Sequence, residues 1–245
     1  LKIPKRNSKS HKGQNGTVLA IGGSEKYPGA IFLASISAQR SGCDIVKVLC
    51  PQKVAWAINC KSSDLITIKA KGSCLGESNF GIIKEETKNC DVILIGNGIG
   101  LENSTKKLCR KIIHSENKLK VIDADAIKSV SAQDCKNSII TPHSRELEIF
   151  LENSGIGKGA MLKIFNEKNI FKKSKLIKST VQNFLDKNNI IHNSVKIFWK
   201  RGKALLLWLF NKIYYMLSCE NQLKIINTND VGASKIKQIT IIWFL

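Results

Sequence analysis

Short apolar runs that end in glycine or polar residues recur through the first 150 residues of this chain. Those at residues 17–21, 44–50 and 91–95 are rich in β-branched residues, as strands buried on both faces of a sheet are. Segments with helical patterning separate them. Strands that alternate with helices of ten to fifteen residues predict βαβ units. The sequence therefore predicts an α/β fold, a mostly parallel central sheet flanked by helices on both faces.

Length and charge limit the classes of protein to consider. The 245 residues, of which 43% are hydrophobic, suit a single α/β domain over residues 1–245. The net charge of +20 favours anionic ligands. The lysines are scattered, however, and a nucleic-acid groove would combine clustered Arg with aromatic residues. We therefore expect a small-molecule partner and no specific nucleic-acid partner, with DNA or RNA binding as a weaker alternative.

The cysteines and the apolar segments bear on cellular location. None of the eight cysteines forms a C-x-x-C pair, so reduced, mostly buried thiols are expected. The polar N-terminus has no apolar signal segment, and no apolar run approaches the roughly 20 residues of a membrane helix. We expect a cytoplasmic protein without a membrane partner. A homo-oligomer is compatible with this sequence, which leaves the oligomeric state open.

Two glycine-rich turns follow predicted strands. Gly22 and Gly23 follow the first strand, and Gly96, Gly98 and Gly100 follow the strand at 91–95. At the first turn, the glycines let the backbone approach a ligand closely, and the helix N-terminus that follows favours anions. At the second turn, three glycines can expose several backbone N–H groups to phosphate or to a polar ring. The alternative for both is a sharp structural turn, and the second lacks the G-x-G-x-x-G spacing of a dinucleotide fingerprint.

Two acidic residues end the strand VIDADA. Strand alternation predicts that Asp123 and Asp125 point to the same side, with Ala124 opposite. Two carboxylates there could hold hydroxyl groups or a hydrated magnesium ion. The structural alternative is that one of them caps the following helix.

A histidine follows the next predicted strand. In the run Thr141-Pro142-His143, the imidazole lies at a strand-to-helix turn, and Glu146 follows one helical turn later. His143 could hydrogen-bond a substrate amide or ribose, although a histidine there is more often structural. Ligands of open α/β sheets bind beyond the carboxyl ends of the strands, which places all these groups in one predicted crevice.

Taken in order, these motifs resemble the ADP/ATP-dependent NAD(P)H-hydrate dehydratases of the ribokinase-like superfamily. The resemblance covers residues 1–151, whereas residues 152–245 diverge. The matching segments are HKGQNG at 11–16, IGGS at 21–24 with YPGA at 27–30, IGNGIG at 95–100 with Asn for Pro, DADA at 123–126, and TPHSRE at 141–146.

The resemblance implies a ribokinase-like fold and a lyase that repairs hydrated NADH or NADPH. The ring hydroxyl would be phosphorylated at the expense of ADP or ATP, with Mg²⁺, and phosphate would then be eliminated. By resemblance, Ala30, Gly98 or Gly100, and His143 would contact the hydrated dinucleotide. The acidic groups Asp123, Asp125 and Glu146 would line the site near the phosphates and metal.

The last third departs from the family pattern. Lys200, Gly202 and Lys203 only weakly match the family's nucleotide-binding K-G segment, and no G-T-G-D occurs in the 245 residues. Because the Asp of that motif would be the base, the catalytic residue stays unassigned. For a chain ending here, the sequence predicts severely reduced activity. The alternatives are a catalytically inactive nucleotide-binding module and a small-molecule kinase of the same superfamily.

Overall fold

The computed structural model describes residues 9–188 and 195–197. The strands are β1 (Thr17–Ile21), β2 (Ile45–Pro51), β3 (Ile66–Ala70), β4 (Val92–Ile95), β5 (Leu119–Ile122), β6 (Ser138–Ile140) and β7 (Val195–Ile197). The α-helices are α1 (Pro28–Arg40), α2 (Gln52–Asn59), α3 (Phe80–Thr87), α4 (Asn103–Ser115), α5 (Ser144–Asn153), α6 (Lys158–Asn166) and α7 (Ile170–Lys187). Short 3₁₀ turns follow β5 and precede α3 and β6.

The described strands form one parallel sheet in the order β3-β2-β1-β4-β5-β6-β7. The chain first builds outward from β1 to β3 and then continues from β4 on the other side of β1. The strand order therefore reverses between β1 and β4. In open parallel sheets, this switch point is where the crevice for a ligand opens, beyond the carboxyl ends of the strands. The predicted parallel sheet is confirmed.

Helices cover both faces because the strand residues alternate between two cores. Leu19 and Ile21 of β1 pack in the same cluster as residues of α3 to α7. Val18 and Ala20 pack in a second cluster with residues of α1 and α2. These four residues of β1 are fully buried, which explains why the strand is apolar from Val18 to Ile21 rather than alternately polar.

Two helix starts differ from those that the sequence pattern by itself predicts, which are residue 174 for α7 and Asn103 or Ser104 as the N-cap of α4. The helix predicted at 174–187 begins earlier, at Ile170. The residue preceding α4 is Glu102, so neither Asn103 nor Ser104 is its N-cap. Ser104 instead accepts a hydrogen bond from the backbone N–H of Glu77 at 2.9 Å. A tertiary contact thus uses the hydroxyl that the local pattern assigned to capping.

The HKGQNG loop lies at the amino ends of the strands, away from the predicted crevice. Asp44, just before β2, accepts hydrogen bonds from the backbone N–H groups of Gly13 (2.9 Å) and Asn15 (2.8 Å). Asp91, just before β4, similarly accepts from the N–H of Thr17 at 2.7 Å. These carboxylates fasten the entry of β1 to its two neighbours, so this motif has a structural role.

Lys120 of β5 is fully buried near the same end of the sheet. Its ammonium group donates to the backbone carbonyls of Glu116 and Lys118. Burial lowers the pKa of Lys120 from 10.5 to about 8. The fold therefore carries a cost for keeping this amine protonated at neutral pH.

The described cysteines are unpaired, and most are buried. Cys60 is exposed and Cys74 is partly exposed, whereas Cys219 lies outside the described residues. Burial raises the pKa of the Cys43 thiol and of the Cys90 thiol to about 11. Within residues 9–188 and 195–197, none of the helices combines the length and apolar character needed to cross a membrane.

Candidate functional site

The motifs expected in the crevice all lie at the carboxyl end of the sheet. One glycine turn follows β1 and the other follows β4, on the two sides of the switch point. The acidic pair follows β5, the next strand in the sheet, and His143 follows β6. Because these four strands are parallel neighbours, one edge of the sheet carries every described residue of the predicted site.

The glycines of the first turn permit close packing against the second. A Cβ at Gly22 would lie 2.6 Å from the backbone oxygen of Asn97, and a Cβ at Gly23 would lie 2.7 Å from a methyl group of Ile31. The N–H of Gly23 donates to that same Asn97 oxygen at 2.9 Å. The two turns are thus joined directly through their backbones.

The second turn packs against α1 and against the end of β5. A Cβ at Gly98 would lie 2.7 Å from the backbone oxygen of Tyr27 and 3.0 Å from the methyl group of Ala30. Gly96 has φ +119, and a Cβ there would be 2.0 Å from the backbone oxygen of Asp123. Ala30 and Gly98, both expected to contact the ligand, therefore lie side by side, with Ala30 exposed.

Several backbone N–H groups of the two turns are already used within the protein. Gly22 donates to Leu49, Gly96 donates to Ile21, and Gly23 donates to Asn97. The prediction that the second turn presents its N–H groups to a ligand is therefore wrong for Gly96. The physical role of the three glycines is close approach of neighbouring backbones, which a side chain at any of them would prevent.

Asp123 is the centre of a buried hydrogen-bond chain across three strand ends. The side-chain amide Nδ2 of Asn97 donates to its Oδ2 at 3.0 Å. The hydroxyl of Thr141 donates to its Oδ1 at 2.6 Å. Asp123 is 1% exposed and Thr141 is fully buried. Asp123 therefore joins the turns after β4, β5 and β6.

Asp125 performs a different task from Asp123. Its Oδ2 accepts from the N–H of Gly100 at 3.2 Å, and its Oδ1 pairs with the Lys128 ammonium at 2.8 Å. The prediction that strand alternation directs both aspartates alike is wrong, because β5 ends at Ile122 and Ala124 has φ 50. Neither aspartate caps the 3₁₀ turn that follows with its side chain.

His143 is the N-cap residue of α5, and its side chain is half exposed. The N–H of Arg145 donates to its Nδ1 at 3.2 Å, while its Nε2 lies 3.1 Å from Oε1 of Glu146. The other oxygen of Glu146 accepts from the N–H of His143 at 2.9 Å. Glu146 is buried, so it orients the ring, whereas the imidazole itself remains accessible at the end of β6.

The described part of the chain has no cluster of side chains that could by itself bind a metal ion. Residues 9–188 and 195–197 contain no cluster of three or more His, Cys, Asp or Glu residues that could hold a metal ion. The oxygens of Asp123 and Asp125 already accept hydrogen bonds from protein groups. The predicted nucleotide contacts Lys200, Gly202 and Lys203 lie outside the described residues.

Asn97 was not predicted as a site residue. It is 7% exposed, and its Oδ1 has no hydrogen-bond partner among the described residues. Its only sequence signal was an Asn between two glycines at the end of a buried strand. That signal cannot identify the partner, because Asp123 is 26 positions away.

Curated relatives match the same part of the chain. The bifunctional NAD(P)H-hydrate repair enzyme Nnr of Methanothermobacter thermautotrophicus is 39% identical over 158 residues, 62% of this chain and 30% of that protein. The ADP-dependent (S)-NAD(P)H-hydrate dehydratase of Nitrosopumilus maritimus is 31% identical over 172 residues, 68% of this chain and 60% of that protein. The chain thus spans less than two thirds of the length of either relative.

Solved structures share the fold. A ribokinase-like superfamily protein of Enterococcus faecalis superposes with a TM-score of 0.60 at 20% identity, covering 81% of this chain and 62% of that one. An ADP/ATP-dependent NAD(P)H-hydrate dehydratase of Bacillus subtilis, co-crystallised with ATP and Mg²⁺, gives a TM-score of 0.51 at 17% identity, covering 92% and 87%. At these identities the likeness shows a ribokinase-like fold.

The sequence model of the NAD(P)H-hydrate dehydratase family (Carb_kinase) matches residues 18–187. The match runs from β1 through α7. It includes both glycine turns, the Asp123 hydrogen-bond chain and His143, the N-cap residue of α5. It also continues past residue 151, through the helices α6 and α7. This chain belongs to the NAD(P)H-hydrate dehydratase family.

Proposed function

We propose that this chain binds NADH or NADPH hydrated at the nicotinamide ring and, with ADP or ATP, returns it to the reduced dinucleotide. The observation that carries the proposal is the contact of the two glycine turns at the switch point, with Ala30 exposed beside Gly98. The family match and the two NAD(P)H-hydrate relatives support this substrate class over a small-molecule kinase activity.

The residues beside the two glycine turns suit a flat, anionic dinucleotide. The exposed Ala30 and the open space beside Gly100 leave room for a ring next to the second turn. The first turn leads into α1, which begins at Pro28. The N-terminal end of a helix favours the negative charge of a diphosphate. Across the crevice, His143 offers an exposed imidazole for a hydrogen bond to an amide or hydroxyl group. Glu146 holds that ring in place.

The described residues would bind and orient the dinucleotide rather than perform the proton transfer. In the proposed reaction, the terminal phosphoryl group of ADP or ATP passes to the ring hydroxyl. Loss of that phosphate together with a ring proton then restores the double bond. The buried Asp123 and the partly exposed Asp125 position the turns, since their oxygens accept hydrogen bonds from protein groups. The base for the hydroxyl stays unassigned.

Magnesium enters the proposal only with the nucleotide. Mg²⁺ usually keeps several waters and binds one or two carboxylates together with substrate phosphates. The described residues contain no cluster of three or more potential metal ligands, so the phosphates of the nucleotide would supply most of the ligands of the ion other than water. Lys200, Gly202 and Lys203 remain predicted contacts of the nucleotide that would bring it.

The direct test is turnover of hydrated NADPH with ADP or ATP, followed by the return of the reduced-nicotinamide absorbance. Ala30→Leu should weaken binding of hydrated NADPH in calorimetry, because a larger side chain would fill the space beside Gly98. Ala57→Leu, at an exposed position of α2, is the matched control. Equal affinities of the two variants would contradict the proposed location of the dinucleotide.

A second candidate is a binding module without dehydratase activity. It is favoured by one observation, the absence of G-T-G-D from the 245 residues. Loss of a positioned general base typically costs about 100- to 10,000-fold in rate. This alternative predicts that the chain binds hydrated NADPH but shows little affinity for ADP and no turnover. Measurable turnover with ADP or ATP would exclude it.

A further inference from the structure

We propose that Asn97 is a positioning residue that locks the two walls of the crevice together through Asp123. The ligand of that crevice is taken from the proposed function, whereas the lock itself rests on contacts within the protein. One wall consists of the glycine turns after β1 and β4. The other is the Thr141-Pro142-His143 turn after β6. Asp123, at the end of β5, lies between them and is bonded to both.

The orientation of the Asn97 amide is fixed by its partner. An ionised carboxylate only accepts hydrogen bonds, so the Nδ2 group must face Asp123, as it does at 3.0 Å. Rotation of the amide by 180° would bring two acceptor oxygens together. The carbonyl Oδ1 of Asn97 is therefore directed away from Asp123.

That carbonyl oxygen is buried without a donor in the described part of the chain. A buried polar atom without a partner loses its hydrogen bonds to water and gains none in the fold, and native proteins contain few such atoms. A side chain that only stabilised the fold would not need to leave such an atom. The oxygen is left unpaired because the amide is oriented so that its Nδ2 group donates to Asp123.

The lock extends across four strand ends. The backbone oxygen of Asn97 accepts from the N–H of Gly23 at 2.9 Å, which adds the turn after β1. Thr141 begins the turn that leads to His143, two residues later. Without the Asn97 amide, the Asp123 carboxylate would no longer link the glycine turns to the histidine turn. A ligand that contacts both walls would then have to order them as it binds, which weakens affinity.

Binding measurements test this coupling. Asn97→Leu keeps the branched shape of the side chain, Thr141→Val keeps both shape and volume, and each removes one hydrogen bond to Asp123. Each should raise the Kd for hydrated NADPH by roughly 10-fold. The Kd of the double variant should be only slightly higher than that of either single variant, because both substitutions break the same hydrogen-bond chain through Asp123. Asn89→Leu, at an exposed position before β4, is the matched control and should leave Kd unchanged. Independent, additive effects of the two single variants would overturn the lock.

Exchange of donor and acceptor gives a rescue experiment. Asn97→Asp alone places two carboxylates together, and Asp123→Asn alone places two amides together. Combined, they restore one donor facing one acceptor, with an oxygen still available to Thr141. The combined variant should bind hydrated NADPH more tightly than Asn97→Asp alone. Binding no tighter than that single variant would contradict a role for this pairing.

Hydrogen exchange tests the lock without any ligand. In Asn97→Leu, the amides of Gly23 and Thr141 should exchange faster, while those of Gly13 and Asn15 at the opposite end of the sheet should not change. Unaltered exchange at Gly23 and Thr141 would overturn the inference. Failure of the unsubstituted chain to bind hydrated NADPH would instead contradict the proposed function, and the exchange experiment would still decide whether the lock exists.

Discussion

The backbone of Gly96 lies directly against the backbone oxygen of Asp123, so that a Cβ at Gly96 would be 2.0 Å from that oxygen. The residue also has φ +119, a conformation that L side chains rarely adopt. Gly96→Ala should therefore lower the free energy of unfolding by roughly 2–5 kcal/mol, from backbone strain and overpacking together. Urea denaturation measures this change.

The control for Gly96→Ala is Gly100→Ala in the same turn. Gly100 also has positive φ (+95), but nothing lies within 4 Å of a Cβ built there. Strain alone should then cost about 1–2 kcal/mol. Equal losses at the two positions would mean that contact with Asp123 does not explain the requirement for glycine at Gly96.

His143 combines a capping role with its proposed ligand contact, and two substitutions separate them. Asn is a good N-cap residue. The free energy of unfolding of His143→Asn should therefore lie within about 0.5 kcal/mol of that of the unsubstituted chain. His143→Ala should lose about 1 kcal/mol, because the N–H of Arg145 loses its acceptor. Both should weaken binding of hydrated NADPH. Full affinity in the Asn variant would assign the imidazole to capping alone.

Asp44 should affect stability without affecting the crevice. Its carboxylate accepts from the N–H groups of Gly13 and Asn15 at the amino ends of the strands. Asp44→Ala should cost roughly 1–3 kcal/mol, since it leaves those donors without their acceptor. The Kd for hydrated NADPH should stay unchanged. Asp64→Ala, at an exposed position, serves as the control and should be nearly neutral in denaturation.

Lys120 predicts a pH dependence with a definite sign. Burial lowers its pKa to about 8 in the folded chain, from 10.5. Between these values the unfolded chain binds the proton and the folded chain does not, so stability should rise with pH. Deprotonation of Lys120 should raise the free energy of unfolding by about 3 kcal/mol at most. This rise takes place between pH 8 and 10.5, and none of it is present below pH 8.

Comparison with Lys120→Met isolates this effect. Thiols such as Cys43 and Cys90, whose pKa is raised to about 11, lower stability above pH 9 in both proteins. The free energy of unfolding of the unsubstituted chain should therefore rise relative to the variant as the pH increases from about 8 to 10.5. Lys84→Met, at an exposed position of α3, should run parallel to the unsubstituted chain. A flat difference for Lys120→Met would contradict a buried, easily deprotonated amine.

Local sequence determined the elements and their faces. In β1, Val18 and Ala20 meet one helix layer while Leu19 and Ile21 meet the other, and a continuous apolar run predicts this double burial. The glycine turns, Asp123 and His143 were also located correctly at strand ends. These features depend on neighbours within a few residues, so the sequence contains them directly.

The tasks of the site residues were decided by the tertiary structure. Strand alternation was a poor guide to Asp123 and Asp125 because β5 ends before them. The Asp123 carboxylate instead accepts from Asn97 and Thr141, and that of Asp125 pairs with Gly100 and Lys128. The partner of Asn97 is 26 positions away. Such a pairing depends on which strands become neighbours, and the reversal of strand order between β1 and β4 exists only once the sheet has assembled.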